Sequence, residues 1–130
     1  MRLLIDTQVF IWAVLDSKYL SPEARQIMID AADIFVSSAS IWEIAIKTKI
    51  GRLDGEPKEF VSAIERSGFK ELPVYARHTA GVYELPLHHN DPFDRLLIAQ
   101  AMSESLHLLT ADKILEQYSN IVIHVKKINP

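Results

Sequence analysis

Four carboxylate residues in this chain have the type and the positions needed to bind divalent cations. They are Asp6, Glu43, Asp94 and Asp112. Carboxylates that meet in one place repel one another, and the arrangement becomes favourable when Mg²⁺ or Mn²⁺ lies among them, because these ions prefer oxygen ligands. Metal ions bound in this way can activate a water molecule for phosphodiester hydrolysis. No nucleophile from the protein is then needed.

Asp94 lies on the inward side of a predicted helix. Asp91 and Pro92 form a favourable N-cap and first-turn pair, so the helix is expected to begin there. At about 100° per residue, one arc holds Asp94, Leu97, Ile98, Ala101 and Met102, and the opposite side holds Gln100, Ser103 and Glu104. An ionised carboxylate that faces the interior is costly unless it is paired or bound to a cation. A favourable interaction with the helix dipole is the structural alternative, although Asp91 fits that role better.

Asp6 comes directly after a run that is typical of a buried strand, and Asp112 comes one residue after another such run. The runs are residues 2–5 and residues 106–110. Open α/β sheets form their sites at the carboxyl ends of the strands, which is where both carboxylates are expected. The structural alternative for each is a helix N-cap, and the hydroxyl of Thr7 could cap the first helix equally well.

Glu43 has two structural interpretations when it is taken by itself. It stands in a predicted helix over residues 41–50, which Gly51 ends. Ser40 and Glu43 match a capping box, and Glu43 with Lys47 is a favourable pair worth about 0.2 to 0.5 kcal/mol. The predicted apolar side of this helix consists of Ile41, Trp42, Ile44 and Ala45.

Strands and helices alternate along most of the chain, which predicts an α/β fold with a mainly parallel sheet and helices on both faces. The length of 130 residues indicates a single domain over residues 1–130. Further strands or extended segments are predicted at residues 34–36, 71–74 and 121–123. Further helices are predicted at residues 9–15, 22–31, 57–66, 75–85 and 113–118.

The composition excludes several classes of site. The chain has no cysteine, which rules out disulfides, thiolate zinc sites and cysteine nucleophiles. Its longest apolar run is too short for a membrane span, and an early carboxylate argues against a signal peptide, so we expect a soluble, cytoplasmic protein with no membrane partner. The net charge of −3 argues against a broad basic surface for polyanions.

Local basic residues and two histidines leave alternatives open. Lys47, Lys49, Arg52 and Arg95 could guide RNA phosphates or form an ordinary charged surface. His88 and His89 precede the Asp94 helix, and with no other ligand spacing evident we expect solvated loop histidines rather than zinc ligands.

The chain resembles PIN domains, and among them the VapC-type toxin ribonucleases of toxin–antitoxin pairs. The resemblance covers nearly the whole chain and rests on four segments, residues 4–7, 40–47, 91–101 and 109–112. It implies a compact α/β/α sandwich in which Asp6, Glu43, Asp94 and Asp112 bind Mg²⁺ or Mn²⁺ and cleave RNA. It also implies a homodimer and a small VapB-like antitoxin whose C-terminal segment crosses the groove.

Some roles near the site stay open at this stage. Asp91 offers a second carboxylate beside Asp94. Thr7, Thr110 and Ser38 could orient a water molecule or a carboxylate, or could be ordinary turn hydroxyls.

Two other functions also fit strand-end aspartates. One is a metal-dependent phosphatase or phosphoryl-accepting domain, in which an aspartate such as Asp6 is phosphorylated. The other is a non-catalytic module that binds a basic partner peptide in an acidic groove. Glu43 and Asp94, both within helices, suit metal clustering better than a single phosphorylated aspartate.

Overall fold

A five-stranded, entirely parallel sheet lies at the centre of the computed structural model, which describes residues 1–130. Its strands are β1 (Arg2–Ile5), β2 (Asp33–Ser37), β3 (Lys70–Leu72), β4 (His107–Thr110) and β5 (Val122–His124). The strand order is β3-β2-β1-β4-β5, so β1 and β4 are neighbours and Ile5 lies opposite Leu109. The strand order reverses between β1 and β4. Ligands of such sheets bind outside the carboxyl ends of strands at this point.

Helices cover both faces of the sheet. They are α1 (Thr7–Val14), α2 (Pro22–Asp30), α3 (Ser38–Lys49), α4 (Pro57–Arg66), α5 (Ala76–Gly81) and α6 (Pro92–Ser103). Because successive strand residues point to opposite faces, Leu3 and Ile5 pack with the core that contains Phe10 of α1, whereas Leu4 packs with the core that contains Leu97 of α6. The predicted three-layer α/β/α sandwich is confirmed. None of the six helices combines the length and the apolar character needed to cross a bilayer.

The predicted boundary of α3 is wrong by three residues. The helix begins at Ser38, because the side chain of Ser37 accepts a hydrogen bond from the amide of Ala39 at 3.0 Å and caps it. Ser40 therefore lies inside the helix, and the expected capping box with Glu43 does not exist. Trp42 was expected on the apolar side, but 62% of its surface is exposed and its ring packs edge-on against Phe93.

Two predicted helices differ in type. The segment 75–85 divides into α5 and a 3₁₀ turn, Val82–Glu84, and the segment 113–118 is a 3₁₀ helix, Lys113–Gln117. Such short 3₁₀ pieces are common as connectors.

The N-cap of α6 agrees with the prediction, but the predicted burial of two of its residues is wrong. Asp91 accepts hydrogen bonds from the amides of Phe93 and Asp94, and Pro92 occupies the first turn. Gln100, expected in solvent, is fully buried, and Met102, expected in the core, is half exposed. Helix α6 packs against α5 as well as the sheet, and Gln100 donates a hydrogen bond to the carbonyl of Pro73 at 3.3 Å.

Candidate active site

A cleft of about 430 Å³ opens at the carboxyl ends of β1 and β4. All four predicted carboxylates line it, and Asp91 joins them. Asp6 comes from the end of β1, Glu43 from α3, Asp94 from the first turn of α6 and Asp112 from the segment after β4. The lining residues are Asp6, Thr7, Gln8, Trp12, Glu43, Lys47, Asp91, Asp94, Ala111, Asp112 and Lys127.

Asp6 is both a helix cap and part of the cleft. Its Oδ1 accepts a hydrogen bond from the amide of Val9 at 2.8 Å, and its Oδ2 accepts one from the hydroxyl of Thr110 at 2.6 Å. Only 4% of the residue is exposed. Burial, together with the nearby charges of Glu43 and Asp112, raises the pKa of Asp6 to about 6 against the lowering effect of these hydrogen bonds. The cap and the site are therefore compatible roles.

Asp94 has the most perturbed carboxyl group of the cleft. Burial raises the pKa of Asp94 to about 7, and the charges of Asp91 and Asp6 add to this effect. A hydrogen bond with His89 acts in the opposite direction, at 3.0 Å from Nε2 to Oδ2. A carboxyl group that still holds a proton near neutral pH has a destabilised ionised form. A cation bound beside it would stabilise that ionised form.

Glu43 has one free carboxylate oxygen. Lys47 Nζ lies 2.9 Å from its Oε2, so the expected pair one helical turn apart is present. Its Oε1 is buried and has no hydrogen-bond partner. A buried oxygen without a partner is costly, and in an acidic cleft a divalent cation is a partner that fits it.

His89 was expected to be solvated, and this expectation is wrong. Its Nε2 lies 3.0 Å from Asp94 Oδ2 and 3.7 Å from Asp112 Oδ2, and 24% of its side chain is exposed. The Tyr118 hydroxyl accepts a hydrogen bond from the His89 amide at 2.8 Å. His88 does agree with the expectation, because it is exposed and packs its ring against Tyr118 instead.

The position of His89 in the sequence contained a signal that spacing rules for metal ligands do not capture. Residues just before an N-cap often contact the first turn of the helix, as in the hydrophobic staple, and Asp94 is in that turn. A side chain two residues before Asp91 is therefore placed to reach Asp94.

The PIN-domain family model matches residues 3–121 of the sequence. This chain belongs to the PIN-domain family. No curated protein sequence matches it significantly.

Solved structures similar to this PIN domain include toxin–antitoxin proteins. VapBC2 from Rickettsia felis, bound to a promoter DNA fragment, matches with a TM-score of 0.69 and 15% identity, covering 97% of this chain and 98% of that one. A toxin–antitoxin complex from Klebsiella pneumoniae matches with a TM-score of 0.66 and 17% identity, covering 93% and 95%. VapC20 from Mycobacterium tuberculosis, a sarcin–ricin loop cleaving toxin, matches with a TM-score of 0.57 and 12% identity, covering 90% and 96%. At these identities the likeness concerns the fold.

The hydroxyl groups near the cleft of this PIN domain have separate partners. Thr110 donates a hydrogen bond to Asp6 and orients that carboxylate, which was one of the roles that the sequence left open for it. Thr7 donates to the hydroxyl of Ser40 at 2.8 Å and so joins α1 to α3. Ser38 accepts a hydrogen bond from the amide of Val74, which makes it a link to the segment after β3 rather than part of the cleft.

Some basic side chains line the cleft, whereas another is engaged in hydrogen bonds outside it. Lys47 and Lys127 line the cleft, and Lys127 also lies over the ring of Tyr19 at 4.6 Å. Arg95 instead donates hydrogen bonds to the carbonyls of Val82, Leu85 and Pro86 and to the Tyr118 hydroxyl. Its guanidinium group is engaged in holding the chain before α6.

Proposed function

We propose that this PIN domain is a metal-dependent endoribonuclease and the toxin of a toxin–antitoxin pair. The observation that carries the proposal is the convergence of four carboxylates in one cleft, where Glu43 Oε1 has no partner and Asp6 and Asp94 have raised pKa values. Membership of the PIN family supports it, and so does the similarity in fold to toxin–antitoxin complexes and to a toxin that cleaves the sarcin–ricin loop.

Asp6, Glu43, Asp94 and Asp112 would hold one or two ions of Mg²⁺ or Mn²⁺. The bound ion would supply acidity to a water molecule and would stabilise the charge on the leaving oxygen. The donor set fits such an ion, because it consists of carboxylate oxygens of which one is buried and free.

The other residues of the cleft act on these carboxylates and on the substrate. Thr110 holds Asp6 in one orientation through Oδ2, while the Val9 amide holds Oδ1. Lys47 neutralises Oε2 of Glu43 and leaves the buried Oε1 without a hydrogen-bond partner. Lys127 at the cleft places a positive charge where an RNA phosphate would enter.

The biological setting follows from the same proposal. The substrate is RNA in the cytoplasm, and a VapB-like antitoxin would block the cleft. We also propose a homodimer for the free toxin. The activity does not require a second copy, because all four carboxylates come from one chain.

A phosphoryl-accepting aspartate suits this geometry less well. Asp6 is the strand-end candidate, yet both of its oxygens accept hydrogen bonds and it is almost fully buried. Phosphorylation would break at least one of these contacts. A mass increase on Asp6 after incubation with a small phosphodonor would support this alternative.

The test is cleavage of structured RNA by purified protein free of any partner, with Mg²⁺, with Mn²⁺ and with a chelator. Asp94→Asn is expected to reduce the rate at least about 100-fold, because it removes a charged ligand. Asp33→Asn is the matched control, since Asp33 begins β2 at the opposite end of the sheet. It should cleave at the parent rate. An Asp94→Asn variant that also cleaves at the parent rate would refute the assignment.

A further inference from the structure

His89 belongs to a compact group of three potential metal ligands at one side of the cleft. One ligand atom each from His89, Asp94 and Asp112 lies within 4.8 Å of the others. The two distances from His89 Nε2 are 3.0 Å to Asp94 Oδ2 and 3.7 Å to Asp112 Oδ2. All three side chains are partly buried, and each comes from a different segment of the chain.

The two separations from His89 Nε2 are close to those between neighbouring ligands of one ion. With bonds of about 2.0 to 2.2 Å to nitrogen and oxygen, adjacent ligands lie about 3.0 to 3.5 Å apart in octahedral or tetrahedral geometry. The pair with Asp94 is already at such a spacing, and the pair with Asp112 needs to close by a few tenths of an ångström.

The backbone of His89 is fixed before any ion binds. The Tyr118 hydroxyl accepts a hydrogen bond from the His89 amide and donates one to the His89 carbonyl, at 2.8 and 3.3 Å. Arg95 donates to the same hydroxyl at 3.2 Å and to the carbonyl of Pro86 at 2.8 Å. This network of hydrogen bonds holds the segment before α6 so that the imidazole of His89 faces the carboxylates.

A second observation in the cleft also points to a cation. Glu43 is nine-tenths buried, it lines the same cleft, and its Oε1 has no hydrogen-bond partner. The imidazole of His89 does not satisfy this oxygen. Glu43, a lining residue of the same cleft, thus keeps a buried anionic oxygen without a partner, outside the group of three ligands.

We propose that His89 is a nitrogen ligand of the metal site together with Asp94 and Asp112, and that it makes the site prefer first-row transition ions over Mg²⁺. The inference rests on the proposed function, because it assigns a further ligand to the same site. Imidazole nitrogen suits ions such as Zn²⁺ and Co²⁺, whereas Mg²⁺ prefers oxygen and releases its water reluctantly. An acidic site without a histidine would show this preference less strongly, because carboxylate oxygens discriminate less between these ions than an imidazole nitrogen does.

The experiment measures binding of Co²⁺ and Mg²⁺ by calorimetry to the chelator-treated protein, with no RNA present. The parent is expected to bind Co²⁺ at least about tenfold more tightly than Mg²⁺. His89→Gln should weaken Co²⁺ binding by at least about tenfold and change Mg²⁺ binding by less than about threefold. The visible absorption spectrum of bound Co²⁺ should also change, because a nitrogen ligand is lost.

His88→Gln is the matched control, since it is the same substitution one residue earlier on a side chain that packs against Tyr118. It should leave both affinities and the Co²⁺ spectrum unchanged. A His89→Gln variant with parental Co²⁺ affinity and spectrum would overturn the proposal. Weakened binding of both ions to the same extent would also overturn it, because His89 would then only position Asp94.

Failure of the proposed function would be distinguishable from failure of this inference. If RNA is never cleaved but His89→Gln selectively weakens Co²⁺ binding, the metal site exists without the nuclease activity. If RNA is cleaved and His89→Gln binds Co²⁺ as the parent does, the nuclease stands and the histidine ligand is refuted.

Discussion

Asp94→Asn is expected to stabilise the protein in the absence of metal, and to do so increasingly as the pH rises. Folding raises the pKa of Asp94 from 3.8 to about 7, chiefly by burial and then by the charges of Asp91 and Asp6. A carboxyl group whose pKa is raised by folding contributes stability that is complete below about pH 3.8. That contribution is lost as the pH rises through about 7. Asparagine carries no charge at any pH, so the variant does not lose stability at this position as the pH rises.

The magnitude follows from the two pKa values of Asp94. Each unit of difference corresponds to about 1.4 kcal/mol in the free energy of unfolding once the pH exceeds both values. Between about pH 5 and about pH 8, the parent should lose about 2 to 3 kcal/mol relative to the variant. This difference between two pH values cancels any constant effect of the asparagine side chain on packing.

The assay is urea unfolding of both proteins with chelator present, at about pH 5 and about pH 8, with the free energy extrapolated to water. Asp33→Asn is the control, because Lys70 holds the pKa of Asp33 below its usual value through a hydrogen bond. The Asp33→Asn variant should be less stable than the parent, and this loss should be present at both pH values, because both lie above the ordinary pKa of an aspartate. A gain for Asp94→Asn that is the same at both pH values, or no gain, would refute the burial argument.

Three further predictions concern the groups around Asp94. Thr110→Val removes the donor to Asp6 Oδ2 and the acceptor for the Asp112 amide, so the pKa of Asp6 should rise above about 6 in a carboxyl NMR titration. The same variant should lose about 1 to 3 kcal/mol of stability, and an unchanged titration would contradict the assigned bond. Arg95→Ala leaves the carbonyls of Leu85 and Pro86 without their side-chain donor and removes one of the two donors to the carbonyl of Val82, which keeps the Leu85 amide. It should therefore lower the free energy of unfolding by about 2 to 3 kcal/mol in urea unfolding, and an unchanged free energy would contradict the assigned hydrogen bonds. Adding Mn²⁺ to the chelator-treated parent should raise its melting temperature more at about pH 8 than at about pH 5, because Asp6 and Asp94 must lose protons before they bind. Equal shifts at the two pH values, measured by calorimetry, would contradict this.

The central elements of the fold could be predicted from local sequence. Short apolar runs followed by capping residues define β1, β2 and β4, and Asp91 with Pro92 defines the start of α6. These signals are local, because a cap needs only a side chain and the amides two or three residues later. The register of α3 was less clear, since Ser37, Ser38 and Ser40 are all capping residues and only the ladder with β1 determines where β2 ends.

The burial of α6 could not be predicted from its own periodicity. A helix that packs against a sheet on one side shows one apolar stripe, but α6 also packs against α5 and buries Gln100 there. His78 of α5 is fully buried beside it and lies 2.9 Å from Glu104. Polar residues that pair across an interface do not appear as part of an apolar pattern.

The sequence by itself indicated three members of the acidic group, Asp6, Asp94 and Asp112, because each marks the end of a strand or the inward side of a helix, whereas the local pattern around Glu43 fitted a structural role equally well. Only the tertiary structure decided how their environments differ. The neighbouring positions of β1 and β4 place Thr110 against Asp6, and the loop held by Tyr118 places His89 against Asp94. The physical reason is that pKa and metal affinity depend on burial and on atoms a few ångström away. Those atoms come from segments up to 104 residues apart in the chain.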